Sequence, residues 1–291
     1  MTSSGHAPST SAARSARLRV GSVPYLVGRP LDGGLDAEPG ISITRQVPAQ
    51  LVSLLRSGAI DVALVSSIEL FRSPGYRFLD GLAVAGDGFV ASVQVFLRRP
   101  VEEVRSIALD PSSRAAATLV RILCERPLDG VASGRPRPGV EFVEVEPGRS
   151  ARDADADAWL SIGDAALKEH LTRPEVPVFN PSREWCARTG LPFVFAAWIV
   201  RPGVDLTAAE LDAFARSRSR GIERRDALSR QAAAEWQLPV DACRRYLVEE
   251  CRYDPGAAMR PTLRRFRDEA AALGLCDGGL DPAPIEVTTH A

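Results

Sequence analysis

Lysine is almost missing from this 291-residue chain: Lys168 is the only one among 36 basic residues. A single amine leaves little scope for pyridoxal phosphate or other Schiff-base chemistry. Histidine is nearly as scarce, and of His6, His170 and His290 only His170 stands away from the chain ends. It reads as a surface residue in the last turn of a short helix. With no Gly-x-Ser-x-Gly elbow either, a Ser-His-Asp hydrolase lacks its parts. Five cysteines (Cys124, Cys186, Cys243, Cys251, Cys276) form no Cys-x-x-Cys pair and have no histidine beside them. That speaks against a zinc site or a disulfide framework and for reduced thiols. No dinucleotide glycine fingerprint, phosphate-binding Lys loop or carboxylate cluster occurs, so no cofactor and no metal are expected. The longest apolar run, Leu191 to Val200, is far too short to span a bilayer. Residues 1–17 are rich in Ser, Ala, Thr and Arg, form neither signal peptide nor anchor, and read as a disordered tail on a cytoplasmic protein. With a net charge of -1, the chain presents no broad basic field to nucleic acid. Its Arg-rich stretches, Arg216 to Arg225 and Arg260 to Arg267, are interleaved with acids or apolar residues and read as solvated helix faces. Nothing in the sequence sets an oligomeric state.

What is present is an α/β pattern with an ordinary hydrophobic content of 45%. The length admits two lobes or one large domain. Leu18 to Gly21 starts a strand, and Ile41 and Ile43 alternate with polar residues in a second. Leu51, Leu54 and Leu55 form one face of a helix that begins at Pro48 and stops at Gly58. Asp61 to Val65 is an apolar strand ending in Ser66-Ser67, with a helix starting at Ile68. This order predicts a parallel sheet with right-handed crossovers. Leu79 to Ala85 and Val90 to Leu97 read as two long strands that carry the chain from one lobe to another. A second α/β series then runs through Ser106–Leu123, Glu141–Glu146, Trp159–Ile162 and a short helix from Ala165 to His170. Arg126 to Gly139 reads as loop. Trp185 to Trp198 holds a short helix and a buried strand, whose aromatics suit a core or a binding pocket alike. From Thr207 onward the pattern is helical, with breaks at Pro239, Pro255 and Gly274.

Four apolar strands end in small polar residues: Ser22 with Tyr25, Ser66-Ser67, Asp110 to Arg114, and Gly163-Asp164. In open sheets, ligands bind beyond the carboxyl ends of strands. Two of these ends lie in each series, so a cleft between two lobes gathers all four. The most telling stretch is Ser106 to Leu123, where a short strand meets a helix through Asp110-Pro111-Ser112-Ser113-Arg114. Asp110 or Ser112 is available as the helix cap. The free N–H groups and dipole of that helix start form a seat for an anion, with Arg114 as a carboxylate clamp. The same residues also fit a plain helix start, with Ser112 as the cap and Arg114 on the surface. The ligand class is a small anionic or polyhydroxy molecule.

Val23-Pro24-Tyr25-Leu26 with Pro30-Leu31, Asp61 to Val65 with Ser67, Ala108-Leu109-Asp110 with Ser112-Ser113-Arg114, Ile162-Gly163-Asp164 with Ala166-Leu167, and Trp185 with Thr189 to Ala196 together resemble the MqnA/MqnD family. These blocks occur in order over residues 18–200. That family serves the futalosine route to menaquinone. The Leu191–Ala196 block with Trp198, taken with the Ser-Ser-Arg block, is similar to the chorismate dehydratase branch. The resemblance implies a two-lobed fold like type II periplasmic binding proteins, with the ligand cleft between the lobes. It places lobe I at 18–98 plus 201–291 and lobe II at 99–200. It further implies a carbon–oxygen hydro-lyase converting chorismate to 3-[(1-carboxyvinyl)oxy]benzoate without metal or nucleotide. The substrate-binding set it suggests is Tyr25, Ser66, Ser67, Ser92, Ser112, Ser113 and Arg114, with Ser92 and Asp164 as catalytic candidates. The chain departs from the family pattern at Val27, where Asn is usual, at Ala91, where Arg is common, and at Ala115-Ala116, where Thr-Ser is common. These departures keep two alternatives open: a non-catalytic cytoplasmic solute-binding protein for a small carboxylic acid, and the sister 1,4-dihydroxy-6-naphthoate synthase activity.

Overall fold

The computed structural model describes residues 17–128, 134, 136, 138–146 and 148–287. The expected N-terminal tail, apart from Arg17, and part of the Arg126–Gly139 loop lie outside the described residues. Two mixed sheets carry the fold. In the first, β1 (Leu18–Ser22) pairs in parallel with β2 (Ile41–Arg45) and with β3 (Val62–Ser66). Every residue of β3 is buried, as a strand covered on both faces requires. The sheet continues from β3 through two long strands, β4 (Arg77–Gly86) and β10 (Phe193–Val200), with β10 between β3 and β4 and antiparallel to both. In the second sheet, β6 (Ser106–Leu109) pairs in parallel with β7 (Glu141–Glu144) and β8 (Ala158–Ile162). There β5 (Val93–Leu97) runs antiparallel to β8 and to β9 (Val178–Phe179).

The expectation of a parallel sheet is therefore met only within each α/β series. A strand that arrives from the other lobe enters its sheet from the opposite end, so β5 and β10 both run antiparallel. The same two strands are exchanged between the sheets. β5 lies in the second sheet although it falls within 18–98, and β10 lies in the first although it falls within 99–200. The chain crosses between Gly86 and Val93 and returns between Phe179 and Phe193. An apolar run such as Phe193–Val200 is buried wherever it is placed; only its hydrogen-bonding partners decide the sheet.

Local sequence explains the main helices. α1 (Arg29–Asp32) is a single turn, and α2 (Pro48–Arg56) opens on a proline whose missing N–H is not needed at that position. α3 (Arg114–Glu125) follows β6 and buries Leu119, Val120 and Leu123. α4 (Gly163–Thr172) follows β8, and α5 (Pro181–Thr189) leads into β10. Past Val200, α6 (Ala208–Glu223) begins with a reciprocal Thr207–Glu210 capping box. It packs on α1 so closely that a Cβ at Gly221 would stand 2.0 Å from the Pro30 carbonyl oxygen. That approach seats the C-terminal helices on the first sheet. α7 (Arg225–Trp236), α8 (Val240–Arg245) and α9 (Met259–Ala272) complete the set. The C-terminal region is not wholly helical, as its periodicity suggests. A π turn at Tyr246–Glu250 runs into β11 (Cys251–Arg252), and β12 (Ala283–Ile285) follows; both short strands pair with β4. Strands of two and three residues carry no alternation to read.

Candidate active site

One pocket lies between the two sheets, beyond the ends of β1, β3 and β8. It encloses about 670 Å³ of non-protein space, open solvent at its mouth included. Val27, Val65, Val84, Val90, Val93 and Phe195 supply apolar wall. Its hydroxyls are those of Tyr25, Ser66, Ser92 and Ser113. Tyr25 follows β1 and Ser66 ends β3 of the first sheet, whereas Ser113 caps the helix that follows β6 of the second. Four of the seven expected binding residues are thus brought together from both lobes.

The other three are not in the wall. Ser67 is fully buried and donates its hydroxyl to the Val194 carbonyl at 2.6 Å, fastening the turn after β3 to β10. Ser112 gives both its backbone N–H and its hydroxyl to the Asp110 carboxylate. The cap of α3 is therefore neither Asp110 nor Ser112 but Ser113, whose Oγ accepts the Ala116 N–H. Arg114 is the first residue of α3 and is exposed, close enough to Arg72 to help hold that guanidinium below its usual range, behind the larger effect of burial. Successive helical residues are rotated by about 100°, so a cap that faces the pocket turns the next side chain away. What α3 offers the pocket is its dipole end, not a guanidinium.

Ser66 and Asp164 tie the lobes together. Ser66 Oγ accepts the Ala115 N–H at 2.6 Å across the lobes, and Asp164 Oδ1 accepts the Leu26 N–H at 3.0 Å. Asp164 is not in the pocket wall; it holds the backbone between Tyr25 and Val27, both of which are. Burial pushes its carboxyl above the ordinary aspartate range despite that hydrogen bond. Burial, reinforced by Asp110, also raises the Tyr25 phenol, which stays neutral at physiological pH. Cys251, a wall residue with no sequence signal, has its thiol pushed up to about 12 by burial and is therefore no nucleophile. His170 is half-buried on α4 beside Phe89, outside the pocket. The pocket wall carries no charged side chain among the described residues. Nor do they include any cluster of three His, Cys, Asp or Glu able to hold a metal. No described helix is long and apolar enough to cross a membrane.

Gly163 closes the site at the start of α4. Its φ is +67°, and a Cβ there would stand 3.3 Å from the Tyr25 ring. Gly163→Ala is expected to cost about 1–2 kcal/mol from the left-handed backbone alone and to displace Tyr25. Thermal unfolding checks the first effect; a melting point equal to that of the wild type would contradict it.

A family model described as menaquinone biosynthesis matches residues 18–272. A chorismate dehydratase of Thermus thermophilus is 30% identical over 224 residues, covering 69% of this chain and 79% of that relative. A chorismate dehydratase of Campylobacter jejuni is 28% identical over 251 residues, covering 86% and 92%. Among solved structures, a protein from Archaeoglobus fulgidus superposes with a TM-score of 0.68 at 17% identity, covering 90% of this chain and 99% of that one. The alkanesulfonate-binding protein SsuA from Xanthomonas axonopodis pv. citri gives 0.66 at 18%, covering 94% and 100%. At those identities the structural likeness establishes the fold alone, that of the periplasmic binding proteins. With the family match spanning almost all of the described chain, and with the strand-end hydroxyls gathered in one interlobe pocket, this protein belongs to the menaquinone biosynthesis family.

Proposed function

We propose that this chain is a chorismate dehydratase, a carbon–oxygen hydro-lyase that forms 3-[(1-carboxyvinyl)oxy]benzoate in the futalosine route, in the cytoplasm. The observation that carries the reading is the pocket itself: hydroxyls from both lobes, in a chain similar to two curated relatives that bear that name. The lobes that close on the substrate are the two sheets with their helices, 18–86 with 193–287 and 93–179.

The reaction removes the ring hydroxyl and a neighbouring C–H proton as water and leaves an aromatic ring. Aromaticity supplies the driving force, so the protein's part is to orient the ring and to accommodate two carboxylates. In this reading Ser113 and Ser66 hold one carboxylate at the dipole end of α3, while Ser92 and Tyr25 face the other beside the start of α4. The apolar walls exclude water and strengthen each of these hydrogen bonds. Among the described residues no His, Asp, Glu or Lys lines the pocket, so the C–H proton passes to one of the substrate's own carboxylates and on to the departing hydroxyl, which leaves as water.

Incubating the purified chain with chorismate, without metal or nucleotide, is expected to yield a product lighter by one water, identified by mass. Folded protein that gives no product across the pH range would overturn the reading. One observation favours a second: Val27 lines the pocket where the family pattern has a polar Asn. A binding-only protein on this scaffold predicts thermal stabilisation by small carboxylic acids without turnover. Appearance of a cyclised futalosine product instead would reassign the chain to the sister activity. Because Val27 faces the pocket, Val27→Asn is expected to raise kcat/KM on chorismate about tenfold, the worth of one hydrogen bond to a charged group. Steady-state kinetics test this, and an unchanged or lower value would show that residue 27 does not meet the substrate.

A further inference from the structure

The turn that carries Ser92 is clamped by backbone hydrogen bonds on every side. Its Ala91 N–H goes to Glu250 Oε2 at 2.8 Å, and its Ser92 carbonyl receives the Gly163 N–H at 2.8 Å. The buried Asn180 amide donates to the Val90 carbonyl at 3.0 Å. Glu250 ends the π turn that begins at Tyr246, and the next residue, Cys251, pairs with Gly86 of β4 and lines the pocket beside Ser92. Such one-turn π segments recur at functional sites. Here the wider turn brings the Tyr246 hydroxyl up behind Ser92 and Cys251. Tyr246 is 1% exposed, and its hydroxyl has no hydrogen-bond partner. A buried hydroxyl left unpaired is costly; its polar neighbours are the Ser92 hydroxyl and the Cys251 thiol, and the serine oxygen is the stronger acceptor.

We propose that Tyr246 is a positioning residue for Ser92: its hydroxyl donates to Ser92 Oγ and so aims the serine's own O–H into the pocket, while Glu250 fixes the backbone beneath. The inference rests on the proposed function for its kinetic arm only. Tyr246→Phe removes one oxygen and keeps the packing. In the full chain it is expected to lower kcat on chorismate about tenfold with KM within twofold and the melting temperature within about 2 °C, as loss of one neutral hydrogen bond allows. The double variant Tyr246→Phe/Ser92→Ala is expected to be no slower than Ser92→Ala alone, because both remove the same arrangement. Additive losses, or an unchanged kcat, would overturn the proposal. A second arm needs no turnover. High-resolution crystal structures are expected to place Ser92 Oγ within hydrogen-bond distance of the tyrosine oxygen in the wild type and in another rotamer in Tyr246→Phe. The same rotamer in both would overturn the proposal even where chorismate is turned over. If the wild type is silent on chorismate, the proposed function fails while the rotamer comparison still decides this inference.

Discussion

Ser66→Ala is expected to lower kcat/KM on chorismate roughly ten- to a hundredfold, corresponding to loss of one hydrogen bond to a charged group. The serine has two tasks that alanine cannot perform. Its Oγ lines the pocket, and the same atom accepts the Ala115 N–H from the opposite lobe. Removing it leaves a buried N–H unpaired in the first turn of α3, at the point where that helix meets the pocket. It also takes away one of the hydrogen bonds that hold the lobes together, alongside Leu26 N–H to Asp164 and Arg126 to Glu269. The expected signature is a higher KM with a lower kcat, because binding and closure both depend on this contact. Steady-state kinetics with a parallel unfolding measurement separate this from general damage. A Ser66→Ala variant as active as the wild type would show that this end of β3 serves neither closure nor substrate.

The largest effect on stability is expected at Asp61. This carboxylate immediately precedes β3 and is 3% exposed, and it gathers the ends of three strands. Arg19 of β1 reaches it through its guanidinium at 2.8 and 3.0 Å and through its own N–H at 3.0 Å. Arg201, just past β10, adds a bond at 2.7 Å. Burial alone raises the carboxyl, but the hydrogen bonds from Arg19 and Arg201 outweigh it and hold the group at about 2, below its ordinary 3.8. Asp61→Asn leaves two guanidinia facing a neutral amide. The expected loss is about 3 kcal/mol, at the low end for a broken buried ion pair because both arginines keep some water. The melting point at neutral pH then falls by roughly 6–12 °C. A carboxyl depressed by folding stabilises above its unfolded value, and that contribution disappears as pH drops through its folded value. The gap between wild type and variant is therefore expected to narrow from about pH 4 downward, to be small at pH 2 and to disappear below it. A gap that persists undiminished at pH 2 would show that the ion pairs are not its source.

Much of this molecule is written locally. Leu18 to Gly21, Val62 to Val65, Ser106 to Leu109 and Trp159 to Ile162 are apolar runs between polar turns, and all four are strands. Leu51 with Leu55, and Leu119 with Leu123, are spaced for one face of a helix, and those helices form. Strand ends mark the site for the same reason. A buried strand must surface in something small and polar, which is how Ser66, Tyr25 and Ser113 became legible as pocket residues, whereas Ser92 came only from the family resemblance. Their neighbours were not, because the side-chain direction of one residue in a turn is independent of the next. Ser67 turned into the core, Ser112 toward Asp110 and Arg114 to solvent, although all three belong to the same short blocks.

By itself the sequence determined the α/β series, the turns that end its strands, the absence of parts for Schiff-base and triad chemistry, and the family. The tertiary structure alone decided which sheet received β5 and β10, which of two adjacent serines lines the pocket, and that Tyr246 and Cys251 stand at the back of a pocket made mostly by residues more than fifty positions away. Periodicity reports that a side chain is buried. It says nothing of which partner buries it, because burial free energy depends on area removed from water and not on the identity of what covers it.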